Sequence, residues 1–241
     1  MHGHIFGELV GTFVLMLLGD GVVANVVLNR SKGQNSGWII ICSGWGFAVT
    51  AAIFCSIAVG GVAHLNAAVT CSLAMGGAFP WGEVPGMLAA ELIGSFLGAI
   101  VVWLAYLPHW AETDNPPGKL AVFCTAPAIR NIPANALCEV IGTFMLCFIG
   151  FSFGAKAFAG LAPGYGPFLW GILVWVIGCA LGGPTGFAIN PNRDLGPRIA
   201  HAILPIPGKG GSDWGYALVP VIGPLIGGSL AGLVTKMVGI L

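Results

Sequence analysis

The chain has 241 residues, of which 56% are apolar and only 7% are charged, and its nine basic and nine acidic side chains cancel to a formal net charge of zero. Soluble domains carry about 25% charged residues, so this composition excludes a water-soluble protein and indicates one whose surface mostly faces a lipid bilayer. Because there is no basic excess, the sequence also predicts no nucleic-acid partner.

Six apolar segments are long enough to cross a bilayer as helices, since a crossing needs about 20 residues. In chain order they are predicted at 5–28, 37–59, 86–107, 135–155, 166–184 and 215–240. Polar connections separate them, notably a long segment at 108–134 that is rich in Pro and Asn. An even number of crossings places both termini on the same side of the membrane.

Two regions are too long for simple crossings. Neither 33–82 nor 157–192 contains an Asp, Glu, Lys or Arg, and each is interrupted, the first at Gly60-Gly61 and the second at Gly182-Gly183-Pro184. Irregular backbone at membrane depth is tolerated only where it is buried in protein or lines a water-filled cavity. The interruptions therefore predict two re-entrant segments at a pore or a binding site.

An internal repeat relates the two halves of the chain. Residues 8–19, which begin with Glu8, match residues 139–150, which begin with Glu139, at an offset of 131, and Asn66 and Asn190 occupy corresponding places in the two interruptions. Each half, 1–107 and 135–241, holds three crossings, so the halves are expected to be inverted in the membrane. The predicted fold is a single all-α membrane domain, 1–241, with six transmembrane helices and two re-entrant half-helices.

The seven cysteines are scattered singly and lack the Cys-x-x-Cys spacing of a metal site or redox pair. We interpret them as small buried apolar residues. The sequence thus predicts neither a bound metal nor a cofactor.

The two interruptions carry the motifs Gly61-Val-Ala-His-Leu-Asn-Ala-Ala-Val-Thr70 and Gly186-Phe-Ala-Ile-Asn-Pro-Asn-Arg-Asp-Leu-Gly-Pro197. These resemble the two signature loops of the major intrinsic proteins, the aquaporins and glycerol facilitators, and the resemblance covers essentially the whole chain. The family's loops read Asn-Pro-Ala. This sequence departs from that pattern in both loops, which read Asn66-Ala67-Ala68 and Asn190-Pro191-Asn192.

The resemblance implies a function and a setting. It implies a passive channel, not an enzyme, that conducts glycerol and other small uncharged solutes with water and excludes protons and ions. It further implies a homotetramer in the cell membrane with cytoplasmic termini, although the distribution of Lys and Arg alone favours external termini.

Within the family, the subtype follows a few positions. Asp194 directly after Arg193, then Arg198, and Pro224 in the last crossing are similar to glycerol facilitators. The resemblance places the narrowest constriction on four residues, Trp45, Gly178, Phe187 and Arg193.

The residue types suit such a constriction. A glycine at 178 leaves room for Phe187 to lean against Trp45, which would form an aromatic corner opposite the guanidinium of Arg193. Arginine presents five donors and cannot be deprotonated, so it can bind successive hydroxyls while repelling cations. The alternative for Arg193 is an arginine that merely snorkels to the membrane interface.

Asn66 and Asn190 are each expected to begin a short helix whose dipole presents a positive end at the membrane centre. Their amides would donate hydrogen bonds to passing oxygens, and their other expected role is helix capping. Backbone carbonyls of the preceding unwound stretches would act as acceptors, namely those of Val62, Ala63, His64, Gly186 and Ala188.

Glu8 and Glu139 are expected to accept hydrogen bonds from the re-entrant backbone near His64 and Ala188, while Asp194 is expected to pair with a nearby arginine. The competing hypothesis is a secondary transporter coupled to protons or sodium, because such transporters also use inverted repeats and broken helices. Few ionisable residues lie at depth to support coupling. No set of nucleophile, base and orienting group suggests an enzyme.

Overall fold

The structure is a computed structural model that describes residues 3–162 and 164–241, and within those ranges it contains helices and no strand. Besides a 3-10 turn at Lys156–Phe158, the described residues form ten α-helices. They are α1 Gly3–Val27, α2 Trp38–Ala58, α3 Ala67–Gly76, α4 Val84–Ala105, α5 Leu107–Glu112, α6 Pro116–Phe123, α7 Ile132–Ser152, α8 Gly166–Leu181, α9 Pro191–Ile203 and α10 Val219–Met237.

All six predicted crossings are present as helices. Five of them, α1, α2, α4, α7 and α10, have 19 to 25 residues and are apolar enough to span a membrane. The sixth, α8, has 16 residues and is therefore about 24 Å long at 1.5 Å per residue. It ends three residues before the predicted 184 because Gly182, Gly183 and Pro184 do not continue a helix.

Other boundaries differ from the predicted ones for local reasons. α7 begins at Ile132 instead of 135, because the side chain of Asn131 accepts a hydrogen bond from the Ala134 N–H and caps the helix there. The connection 108–134 contains two short helices that were not predicted, α5 and α6, each with proline in its first turn.

The two half-helices begin at the predicted asparagines. α3 starts directly after Asn66 and α9 directly after Asn190, and each is preceded by irregular backbone. α3 packs on α10 and α4, and α9 packs on α4, α10 and α6. The helix contacts of the two halves correspond, since α1 packs on α4 as α7 packs on α10. This is the predicted fold of six transmembrane helices and two half-helices in inverted repeats.

Close helix packing depends on glycine at the contacts. A Cβ at Gly94 of α4 would lie 2.5 Å from the carbonyl oxygen of Leu9 on α1. Gly227 of α10 meets the carbonyl oxygen of Val140 on α7 in the same manner. Small residues let the backbones approach, and the bundle thereby holds the two re-entrant segments in place at its centre.

Candidate functional site

A cavity of about 490 Å³ lies where the two re-entrant segments meet. Its wall on one side is apolar and comes from α1, α2, α7 and α8, with side chains such as Leu15, Ile53 and Val174. The other side is formed by the irregular backbone before the half-helices, including Val62, Ala63, His64 and Ala188, which were predicted to supply carbonyls. Gly186 is not among the residues that line the cavity.

Asn66 stands at the start of α3 and forms two kinds of hydrogen bond. Its Oδ1 accepts from the N–H groups of Ala68 at 2.8 Å and Val69 at 3.4 Å, which caps the helix. Its Nδ2 donates to the carbonyl oxygen of Ile189 in the other loop at 2.8 Å. Because an amide carries two N–H donors, one donor of Asn66 is left for the cavity that the residue lines.

Asn190 repeats this arrangement at the start of α9. Its Oδ1 accepts from the N–H groups of Asn192 at 3.1 Å and Arg193 at 3.3 Å, and its Nδ2 donates to the carbonyl oxygen of Leu65 at 2.8 Å. Each asparagine therefore caps its own half-helix and ties it to the opposite loop. The positive ends of two helix dipoles meet at this point of the cavity.

The loops before the half-helices adopt an unusual backbone. Ala63, Leu65, Phe187 and Ile189 have φ values of 59°, 55°, 41° and 42°. Such left-handed conformations cost roughly 1–3 kcal/mol for each non-glycine residue. Positions 63 and 65 correspond to 187 and 189 in the repeat, so both loops share one strained conformation that requires support.

Two buried glutamates supply that support. Glu8 of α1 accepts hydrogen bonds from the N–H groups of His64 at 3.0 Å and Leu65 at 2.5 Å. Glu139 of α7 accepts from those of Ala188 at 3.1 Å and Ile189 at 2.8 Å. The carboxylates satisfy backbone donors that have no helical partner, which stabilises the strained conformation.

Arg193 lies on the first turn of α9 and lines the cavity. Its guanidinium carbon is 4.1 Å from the centre of the Trp45 ring, a cation–π contact. Its Nη1 donates to the carbonyl oxygen of Phe123 at 3.3 Å and lies 3.7 Å from Oδ1 of Asp20. Trp45 packs directly over Gly19, where any side chain would overlap the indole.

Phe187 also lines the cavity, but its aromatic partner is not the expected one. Its ring meets that of Trp38 edge to face at a centroid distance of 5.6 Å, and Nε1 of Trp38 donates to the carbonyl oxygen of Gly178 at 3.0 Å. The expected aromatic corner of Phe187 on Trp45 is not among the ring contacts of the described residues, in which Phe187 packs on Trp38 and the Arg193 guanidinium lies over Trp45. Gly178 lies behind the Phe187 ring and does not itself line the cavity.

The two departures from the family's loop pattern face away from the cavity. Asn192 donates through Nδ2 to the carbonyl oxygen of Leu88 and to Oε2 of Glu91, both at 3.0 Å. Ala67 is buried at the first position of α3. Ala67, Ala68, Pro191 and Asn192 do not line the cavity in the described part of the chain.

Asp194 serves the other arginine of α9. Its two carboxylate oxygens accept from Nε and Nη2 of Arg198 at 2.7 and 3.1 Å, and from the backbone N–H and hydroxyl of Thr125 at 2.8 Å each. Asp194 thus fastens α9 to the connection after α6. It forms no ion pair with Arg193 among the described residues.

Sequence reasoning missed two residues of this site. Trp38 precedes Trp45 by seven residues and so shares its face of α2, which was an available signal. Asp20 follows the repeated segment 8–19 directly. A charged residue inside a predicted crossing is expensive and usually functional, and that signal was also available.

Six membrane helices with two half-helices that meet at paired asparagines beside a cavity define a channel-type membrane protein. The model of the family described as Major intrinsic protein matches residues 1–235, and the chain belongs to this family. It is 58% identical to the probable glycerol uptake facilitator protein of Thermotoga maritima, over 92% of this chain and 94% of that protein. It is 52% identical to the glycerol uptake facilitator protein of Bacillus subtilis, over 95% of this chain and 82% of that protein.

A solved structure is similar as well. The X-ray structure of the aquaglyceroporin from Plasmodium falciparum aligns with a TM-score of 0.86 and 30% sequence identity, over 98% of this chain and 95% of that one. These findings confirm the family and the fold that the two loops predicted.

Proposed function

We propose that this protein is a passive channel for glycerol and similar small neutral solutes, with water, and that it excludes protons and other ions. The observation that carries the proposal is the pair of asparagine donors and re-entrant backbone on one side of a cavity whose other side is apolar. A polyol has hydroxyls along one edge and carbon along the other. The relatives named glycerol uptake facilitators support the same substrate.

We propose that the selectivity filter is formed by Trp45, Phe187 and Arg193, with Gly178 making room behind Phe187. The two aromatic rings offer carbon surface, and the guanidinium offers donors to hydroxyl oxygens. The solute exchanges its hydration for these contacts without tight binding, which rapid conduction requires.

Ion exclusion follows from the fixed dipoles. The N-termini of α3 and α9 meet at the asparagines, so a cation, including hydronium, faces two partial positive charges at the centre of the membrane. The cavity offers it no carboxylate, since no Asp or Glu is among the described lining residues.

The coupled-transporter alternative is not supported. Glu8 and Glu139, which bind the backbone of the two loops, each accept hydrogen bonds from two backbone N–H groups. Protonation during a transport cycle would withdraw support from the strained loops. The relatives from Thermotoga maritima and Bacillus subtilis are both named glycerol uptake facilitators.

The setting is part of the proposal. We place both termini in the cytoplasm and the Arg193 end of the cavity at the outer face of a cell membrane, with a homotetramer as the assembly, as the family resemblance implies. The repeat bounds 1–107 and 135–241 likewise stay predictions. Exposed apolar side chains on the outward faces of the helices, such as Phe47, Ile93 and Ile172, suit contact with lipid or with other subunits.

Light scattering by proteoliposomes tests the proposal. Glycerol influx should be proportional to the glycerol gradient and should not change when a proton or sodium gradient of either direction is imposed. Protein-free liposomes give the background. Accumulation of glycerol against its own gradient, driven by either ion, would overturn the proposal.

A further inference from the structure

Asp20 is a buried acid with no role in the proposed conduction of solute. It lies on α1, its side chain is 0% exposed, and neither of its carboxylate oxygens has a hydrogen-bond partner within residues 3–162 and 164–241. Burying a carboxylate without partners is costly. Its presence in a membrane helix therefore requires a compensating charge.

That charge is Arg193, whose Nη1 lies 3.7 Å from Oδ1 of Asp20. The other acid nearby, Asp194, is already engaged by Arg198 and Thr125. Arg193 with Asp20, and Arg198 with Asp194, thus form two separate pairs, each with a net charge of zero. Without Asp20, the guanidinium of Arg193 would carry an uncompensated positive charge.

The internal repeat provides a comparison within the same molecule. Asp20 corresponds to Phe151 at the offset of 131, and Arg193 corresponds to Val69 at the offset of 124 that relates the two asparagines. Both Phe151 and Val69 line the cavity toward its other end. The half that lacks the arginine therefore also lacks the acid.

One packing contact next to these positions is shared by both halves. Trp45 packs over Gly19, and Trp170 packs over Gly150, the counterpart of Gly19. In the second half this contact forms without a neighbouring carboxylate, since Phe151 stands where the first half has Asp20. The acid is present only in the half that has the arginine, whereas both halves have the tryptophan–glycine contact.

The position of Asp20 shows what it does to the arginine. Arg193 and Trp45 both line the cavity and Asp20 does not, so the carboxylate lies in the wall next to them. The Arg193 side chain is only 7% exposed and rests on the Trp45 ring. Attraction to Asp20 would draw the guanidinium toward the wall and out of the path of a solute.

From this geometry we propose that Asp20 is a positioning residue for the selectivity filter. It holds the Arg193 guanidinium against Trp45 and cancels its charge, and it thereby sets how wide the constriction is for a polyol. This inference rests on the proposed glycerol channel and adds a determinant of its specificity.

The test compares permeability ratios in proteoliposomes, because a ratio does not depend on how much protein inserts. Asp20→Asn keeps the shape of the side chain and removes its charge. Without the attraction of Asp20, the guanidinium keeps only its contacts with Trp45 and the Phe123 carbonyl oxygen and should enter the lumen more often. The glycerol-to-water ratio should then fall roughly tenfold, and a four-carbon polyol should be affected more than glycerol. Asp213→Asn is the matched control, since Asp213 pairs with Arg130 at the same end and does not contact Arg193 in the described structure.

The double variant Asp20→Asn with Arg193→Ala separates positioning from a merely structural role. It leaves no unpaired buried charge, as in the other half of the protein, and should recover glycerol passage relative to Asp20→Asn alone. If Asp20 has a merely structural role, the double variant should not recover glycerol passage, and that result overturns the proposal. An unchanged glycerol-to-water ratio in Asp20→Asn also overturns it. If Asp20→Asn does not insert, Asp20→Ala is compared with its own Arg193→Ala double variant by the same criteria. Glycerol flux through the wild-type protein tests the proposed function separately, so the two failures are distinguishable.

Discussion

Replacing Gly178 should narrow the channel for glycerol and leave water passage nearly unchanged. A Cβ at Gly178 would lie 3.0 Å from both Cζ of Phe187 and Sγ of Cys42. Ordinary carbon contacts are about 3.5–4.0 Å, so Gly178→Ala has to move a neighbour by about half an ångström. Phe187 is backed by Trp38, and its open side is the cavity, so the ring should shift into the lumen. Gly178→His should displace it further.

The size of the effect follows from overpacking. Inserting atoms into a packed site costs typically 1–3 kcal/mol, and each 1.36 kcal/mol added to a barrier slows passage tenfold. The glycerol-to-water permeability ratio should therefore fall by a factor of about 5 to about 160, with the ratio of Gly178→His below that of Gly178→Ala. The assay is light scattering by proteoliposomes under glycerol and sucrose gradients. Gly183→Ala is the matched control, because a Cβ at Gly183 meets no atom within 4 Å. A correctly folded Gly178→His protein with the wild-type ratio would refute the steric reasoning.

Three further predictions address the supports of the site. Glu139→Gln retains only one side-chain oxygen to accept hydrogen bonds from the two N–H groups of Ala188 and Ile189. One buried N–H then lacks an acceptor, which should lower the free energy of unfolding by about 1–3 kcal/mol and lower the midpoint of thermal unfolding. An unchanged midpoint would show that the carboxylate is dispensable. Asn192→Ala removes hydrogen bonds to α4 and no cavity contact, so it should lower the free energy of unfolding by a similar amount while the glycerol-to-water ratio stays constant. The double variant of Asn192→Ala with Ala67→Pro should still conduct glycerol, and the effects of the two changes on glycerol flux should add. Single variants that fail and a double variant that recovers would contradict this independence. Lys209 donates hydrogen bonds of 2.6–2.8 Å to the carbonyl oxygens of His201, Ala202 and Leu204 at the end of α9. Lys209→Ala should therefore lower the midpoint of thermal unfolding and leave the glycerol-to-water permeability ratio unchanged. A shift in that ratio would mean that this end of α9 affects the filter.

The fold could be predicted because hydrophobic length and the repeat act over many residues at once. Six long apolar segments and two uncharged, interrupted ones leave few arrangements for a chain in a bilayer. The half-helices could be located because Asn66 and Asn190 are good capping residues and occupy corresponding places in the two interruptions. The short helices α5 and α6 were missed, since their caps and prolines lie in a connection that composition marks only as polar.

The site was less predictable because its contacts join distant parts of the chain. The partner of Phe187 depends on which side of α2 faces the second loop, and no local pattern distinguishes Trp38 from Trp45. Asp20 meets its arginine only after both halves have folded. The direction of Asn192 could have been foreseen, since two residues beyond Asn190 on a helix amount to a rotation of about 200° away from the cavity.

The reciprocal bonds of Asn66 and Asn190 have a consequence for how the protein is made. The amide of Asn66 finds its carbonyl on Ile189, and that of Asn190 finds its own on Leu65. Because synthesis runs from the amino terminus, the hydrogen bond between Asn66 and Ile189 can form only after the residues up to Ile189 have been made. The conducting centre is therefore completed only when the second half arrives.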